Sequence, residues 1–200
     1  MHENTSPQEL KERLNLIERM MAEGRRHTES WGWTFVLWGA VFYIAIAWSA
    51  RNGSIWAWPV TVLIAMVLTF LVASLRARND ARTTLGRAIG SIWIALAISM
   101  FLVFLALGFS GRLTDQHLFM SVTSAMLGMA NGASGILLRW KAQLACAVVW
   151  WATAVVTCFG SNGQSTVVFL VAIFLCQILF GLYGMIADAQ ARKRHGRVHA

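Results

Sequence analysis

From Ala142 to Ala187 the chain carries no Asp, Glu, Lys or Arg. A helix rises about 1.5 Å per residue, so a hydrocarbon layer about 30 Å thick takes roughly 20 apolar residues. This stretch is too long for one crossing, and it is interrupted once, at Gly160-Ser161-Asn162-Gly163-Gln164, a polar turn. Four more charge-free windows precede it: Trp31 to Ala50, Asn52 to Leu75, Ala88 to Gly111 and Gln116 to Leu138. The pattern predicts an all-α polytopic membrane protein, six helices in one bundle, at about 31–50, 55–75, 89–110, 117–138, 142–160 and 165–187. Pro59 can open the second span, where its missing N–H costs nothing. A β-barrel would instead show short segments of alternating polarity.

Composition agrees. The chain is 57% hydrophobic and only 13% charged, against about 25% charged in a soluble domain. The formal net charge of +8 therefore reads as a topology signal, with no nucleic-acid partner expected. Lys11, Arg13, Arg19, Arg25 and Arg26 precede the first span. Arg76, Arg78, Arg82 and Arg87 lie between spans two and three, Arg139 and Lys141 between four and five, and Arg192, Lys193, Arg194 and Arg197 after the last. Only Arg51 and Arg112 fall on the other side, which places both termini in the cytoplasm and the chain in an inner membrane. Membrane lipids are thus the first partner, with anionic headgroups drawn to the basic ends. Trp31, Trp33, Trp93 and Trp140 suit the inner interface and Trp48, Trp56 and Trp58 the outer one. Trp150 and Trp151 fall mid-span and read as packing or lipid contacts.

Three parts follow: a leader at 1–30, the bundle at 31–187, and a basic tail at 188–200. The leader predicts an amphipathic helix over about 6–22, with Ser6 as N-cap, Pro7 in the first turn, Glu9 closing a capping box and Gly24 ending it. Leu10, Leu14, Ile17 and Met21 form its apolar stripe, widened by Leu16 and Met20. Such a helix rests on the bilayer or docks a cytoplasmic protein, a membrane protein or a second copy of the chain. The glutamates Glu9, Glu12, Glu18 and Glu23 nearly offset its basic residues, which favours a protein partner docked on Leu10, Leu14, Ile17 and Met21.

Leu16-Ile17, Met20-Met21, Gly24-Arg25-Arg26, Ser30 and Leu37-Trp38-Gly39 resemble the start of small multi-spanning bacterial membrane proteins that have no assigned activity. The resemblance covers the first forty or so residues. It implies a bacterial inner membrane and no site residues.

Chemical motifs are sparse. Cys146, Cys158 and Cys176 form no Cys-x-x-Cys, and no two histidines share a span at ligand spacing, so neither metal nor cofactor is expected. Gly132-Ala133-Ser134-Gly135 matches the Gly-x-Ser-Gly of rhomboid proteases, yet the spans offer no histidine base, and Ser134 lies near the inner end. Carriers of ions place charged groups inside their spans. Here the interior polar groups are Asn131, Gln177, Tyr43, Tyr183 and scattered Ser and Thr. The expectation is a non-enzymatic assembly or regulatory subunit that engages a partner through its leader and loops. The competing reading is a small carrier or channel subunit for a neutral or lipophilic solute, with an intramembrane enzyme third. Ser124, Gly128 and Gly132 recur every four residues as a small-residue groove beside Asn131, with Met126 and Met129 filling gaps. Its expected partner is span six, through Gln177, Gly181 and Gly184.

Overall fold

The computed structural model describes residues 7–53, 56–76, 84–110 and 115–198. The Ser6 cap, Ser54, Arg78, Arg82 and Arg112 lie outside them. Every element among the described residues is helical: α1 (Pro7–Ser30), α2 (Gly32–Asn52), α3 (Ala57–Arg76), α4 (Thr84–Phe109), α5 (Gln116–Leu137), α6 (Lys141–Phe159), α7 (Asn162–Ile173) and α8 (Phe180–Val198). A π-helical segment, Phe174–Leu179, joins α7 to α8 without a break.

Among the described residues, five helices are long and apolar enough to cross a membrane: Gly32–Asn52, Ala57–Leu75, Leu85–Phe109, Lys141–Phe159 and the continuous Asn162–Lys193. By length and composition this is a multi-pass membrane protein. The charge-free stretch breaks where its polar turn falls. The Ser161 hydroxyl accepts from Gln164 N–H, and the Gln164 side chain accepts from Ser161 N–H at 3.1 Å, a capping box that starts α7.

α5 stands outside the apolar set for a physical reason. Its inward face carries Thr123, Ser124, Asn131 and Ser134, each fully buried. Many of its residues are enclosed by neighbouring helices, whereas only 6% of the apolar window of α4 is buried. Phe70, Ile94, Phe101 and Phe109 on α3 and α4 point outward, as side chains facing lipid can do without penalty.

α5 and α6 form the most extensive helix pair. They are antiparallel and meet at a tight turn. Trp140 N–H reaches Gly135 carbonyl at 2.9 Å and Arg139 N–H reaches Ile136 carbonyl at 3.1 Å, the two bonds of a Schellman cap. Arg139 takes the left-handed conformation there, with φ of 48°, a place usually given to glycine. Aromatic contacts tie the remaining helices to this pair. Trp58 and Phe104 flank Phe119 at centroid distances of 4.5 and 4.9 Å, and Trp140 stacks on Phe180 at 5.0 Å.

α1 runs past Gly24 to Ser30, so the helix does not end where the glycine suggested. Gly24 instead permits close packing. A methyl group there would meet Leu85 Cδ2 and Leu138 Cδ2, each at 2.8 Å. Five residues later Glu29 lies against Gly184 of α8. α1 therefore crosses the end of the bundle formed by the start of α4, the end of α5 and α8.

Candidate functional site

The small-residue groove of α5 is filled, but not by span six. The indole of Trp151, on α6, lies lengthwise over it. A Cβ on Gly128 would strike Trp151 Cδ1 and Nε1, and one on Gly132 would meet Cζ2 at 2.9 Å and Cη2 at 2.8 Å. Gly135 continues the approach against Leu144. Met129 of α5 is exposed, and Met126 packs against the core. Gly181 and Gly184 face the chain around Gly32, on the other side of the molecule. A methyl on Gly181 would sit 2.7 Å from Gly32 carbonyl oxygen, 2.8 Å from Val36 Cγ2 and 3.0 Å from Phe35 Cβ. The pairing of span four with span six is thus replaced by two pairings, α5 with α6 and α8 with α2. The reason is geometric: a groove of small residues accepts any helix, and the tight turn at Leu138–Trp140 delivers α6 to it first. Gly32 and Gly39, which face Gly181, Gln177 and Ile178, were not anticipated. Their spacing of seven, two helical turns, is the signal that could have found them.

Behind the groove lies a polar interior. Thr123, Ser124, Asn131, Ser134 and Gln143 are fully buried, and Gln177 nearly so. Asn131 Nδ2 donates to Leu127 carbonyl at 2.9 Å. Its Oδ1 has no partner among the described residues, nor do the hydroxyls of Thr123, Ser124 and Ser134, either amide atom of Gln143, or Trp150 Nε1. Cys176 Sγ lies 3.7 Å from Cys146 carbonyl, which sets the π-helical segment against α6, while Gln177 packs against Gly39 of α2. Such segments recur at functional sites. These side chains can offer hydrogen bonds to a neutral polar group and carry no charge. Of the two tyrosines, Tyr43 donates to Leu170 carbonyl at 2.8 Å, tying α2 to α7. Tyr183 is exposed and packs beside Trp140.

At the other end of the bundle three helices meet on His117. Its Nδ1 lies 2.8 Å from Thr157 carbonyl and its Nε2 2.5 Å from Asn162 Oδ1. Ser165 Oγ is 3.4 Å from Nδ1. The sequence separation of this serine and histidine hid the pair. The Thr157 carbonyl holds the short contact to Nδ1, and Ser165 Oγ lies 3.4 Å from that carbonyl as well as from the ring, so the serine is not closely paired with the histidine. Ser165 is also fully buried. The trio acts as a structural clasp. The Ser134 hydroxyl of the Gly-x-Ser-Gly motif, also buried, has no hydrogen-bonding partner among the described residues.

The α1 end is ionic. Arg192 pairs with Asp188 at 3.0 Å on α8. Burial pushes the Glu29 carboxyl above the usual carboxylate range. Arg25 and Arg26 pull it down, and Asp188 adds to the rise. Beyond Gly24 the first part of α1 is uncovered. Leu10, Leu14 and Ile17 are 55%, 53% and 51% exposed, whereas Met21 is half-buried at the edge of the bundle. No group of three or more His, Cys, Asp or Glu that could hold a metal occurs among the described residues. No protein-family model, curated protein or solved structure matches the chain.

Proposed function

We propose that the protein is a non-enzymatic subunit of a bacterial inner membrane that assembles with or regulates a protein partner. In this reading six helices cross the bilayer, α5 being the sixth, sheltered by its neighbours. In it α1 and the end of α8 lie on the cytoplasmic side, the side that their basic residues favour. A partner engages α1, whose stripe Leu10, Leu14 and Ile17 is exposed, together with the basic loops. The observation that carries the reading is the posture of α1. Its last third is anchored by Gly24 on Leu85 and Leu138 and by Glu29 on Gly184, while residues 8–20 are exposed on every side. A helix held rigidly yet left uncovered is a display element.

The test is photo-crosslinking in cells from Arg19 and from Glu12, with the captured protein identified by mass spectrometry. One saturable product, lost when residues 1–20 are removed, supports the reading. That truncation stops short of the Gly24 contact. No product beyond background at either position sinks it.

A second reading, a small carrier or channel subunit for a neutral or lipophilic solute, is favoured by the uncharged polar interior around Asn131, Ser134 and Gln143. Buried polar atoms cost about 1–3 kcal/mol each when left without partners. Flux of neutral solutes into proteoliposomes, compared between the intact chain and Gln143→Leu, tests it.

A further inference from the structure

Asn131 and Trp150 are fully buried, and each ends in a hydrogen-bonding atom that no neighbour among the described residues meets. Asn131 Nδ2 donates to the Leu127 carbonyl, which leaves Oδ1 as an acceptor. Trp150 Nε1 can only donate. The hydroxyls of Thr123, Ser124 and Ser134 stand apart, because a hydroxyl can turn onto the carbonyl four residues earlier in its own helix. The amide oxygen of Asn131 has no such recourse, since every mid-helix N–H is already given to the helical ladder.

The two groups belong to facing helices. Gly132 against Ala147 and Gly135 against Leu144 set the register of the antiparallel α5–α6 pair. In that register Asn131 is level with the residue two before Trp150, about 3 Å away along the axis. At about 100° per residue, Asn131 lies about 70° and Trp150 about 90° from the line of closest approach, both to the same side. Each side chain leans toward the N-terminus of its own helix, so on antiparallel helices these two lean toward each other. α7 closes that side. Phe169 lies 6.1 Å from Trp150, ring to ring, and Gln116 of α5 donates to Thr166. Phe169, Ala172 and Ile173 are themselves buried and bring no polar side-chain atom. Trp150 sits about 14 Å along α6 from Lys141, half-way through a hydrocarbon layer.

A free donor beside a free acceptor, the two not within bonding distance of each other, defines what fits between them. The occupant must accept from the indole and donate to the amide oxygen, so it is neutral and carries an O–H. A cation would meet the indole N–H and an anion the amide oxygen, and no charged side chain is buried among the described residues. Gly128, Gly132 and Gly135 bring the two helices too close for an occupant with a carbon frame. We infer that one water molecule is bound between Trp150 Nε1 and Asn131 Oδ1, a hydrogen-bonded bridge from α6 to α5 at mid-membrane depth. Both amide atoms of Gln143 are also without partners, but Gln143 lies two turns, about 10 Å, nearer Lys141 and is too far away to share this water. Such a bridge needs neither a protein partner nor a transported solute.

The experiment uses the full chain, isotopically labelled at its tryptophans, in nanodiscs of deuterated lipid. Proton-detected NMR measures magnetisation transfer from water to each indole N–H, and Trp150→Phe identifies the Trp150 signal by its loss. Trp56, 65% exposed, is the reference. The Trp150 indole is expected to receive magnetisation at a rate within about threefold of that reference, as an ordered water requires. No transfer would overturn the assignment; a strongly downfield indole proton without transfer would mean that Asn131 accepts directly, which also overturns it. In Asn131→Leu, which keeps the shape of the side chain, transfer to Trp150 should fall at least about fivefold while the other indole signals stay in place. Undiminished transfer there would show that the amide does not hold the water and would refute the bridge. The wild-type measurement decides alone if Asn131→Leu fails to fold.

Discussion

Gly128→Ala isolates the contact on which the α5–α6 pair depends. The added methyl would land on Trp151 Cδ1 and Nε1, with Cγ at 3.1 Å. Cγ lies on the flip axis and does not move, and a flip would bring the larger benzenoid edge to the same place, so it does not clear the contact. Overpacking of this kind costs about 1–3 kcal/mol. Alanine returns about 0.5–1 kcal/mol because glycine is poor in a helix interior. The net loss should be about 1–2 kcal/mol, or a fall in Tm of about 5 °C for a chain of this size. Gly90→Ala on α4 is the control. Nothing lies within 4 Å of its new Cβ, so only the helix gain remains and Tm should rise by about 2 °C. The assay is thermal unfolding in detergent with a thiol-reactive dye, in a Cys158→Ser background, because the buried Cys146 and Cys176 become reactive only on unfolding. The decisive arm is Trp151→Ala. With the indole gone, adding Gly128→Ala should cost nothing and should stabilise, a coupling of about 2 kcal/mol. An equal penalty with and without Trp151 would refute the reasoning.

Arg139→Gly should raise Tm by about 3 °C in the same assay, since φ of 48° costs a residue with a Cβ about 1 kcal/mol. Ser161→Ala should lose about 1 kcal/mol through the α7 capping box, read as a lower Tm; an unchanged Tm would mean that the cap contributes nothing. Ser134→Ala should leave Tm unchanged or raise it, because it deletes a buried hydroxyl that has no partner; a clear fall would show that the hydroxyl is satisfied. Glu29 is held above its ordinary value of 4.5 chiefly by burial, so the folded state binds the extra proton. Its stabilising effect is fully present below pH 4.5 and is lost as pH rises through the raised value. Stability measured across that window should fall with rising pH, and Glu29→Gln should remove that slope.

Much of the architecture is local, and local features can be read from residues alone. Window length and charge place each apolar helix because crossing hydrocarbon is a property of the segment itself. The turn at Gly160–Ser161 and its Ser161–Gln164 box are likewise local chemistry. The stripe of α1 follows from spacing, and so does the small face of α5. Which faces meet is another matter. It depends on helix rotation, on register, and on what the connecting turn permits. Gly24 looks like a helix stop in sequence, yet it is a contact point for Leu85 and Leu138, which lie far from it in the chain. Gly128 and Gly132 announce a close approach without saying whose, and the answer is the ring of Trp151, a residue that in sequence read only as a mid-span packing or lipid contact. Ser165 and His117 are brought together only because α5 and α7 start at the same end of the bundle. Segment chemistry decided what enters the membrane; only tertiary packing, which sums contacts across distant residues, decided which side of each helix is left to act.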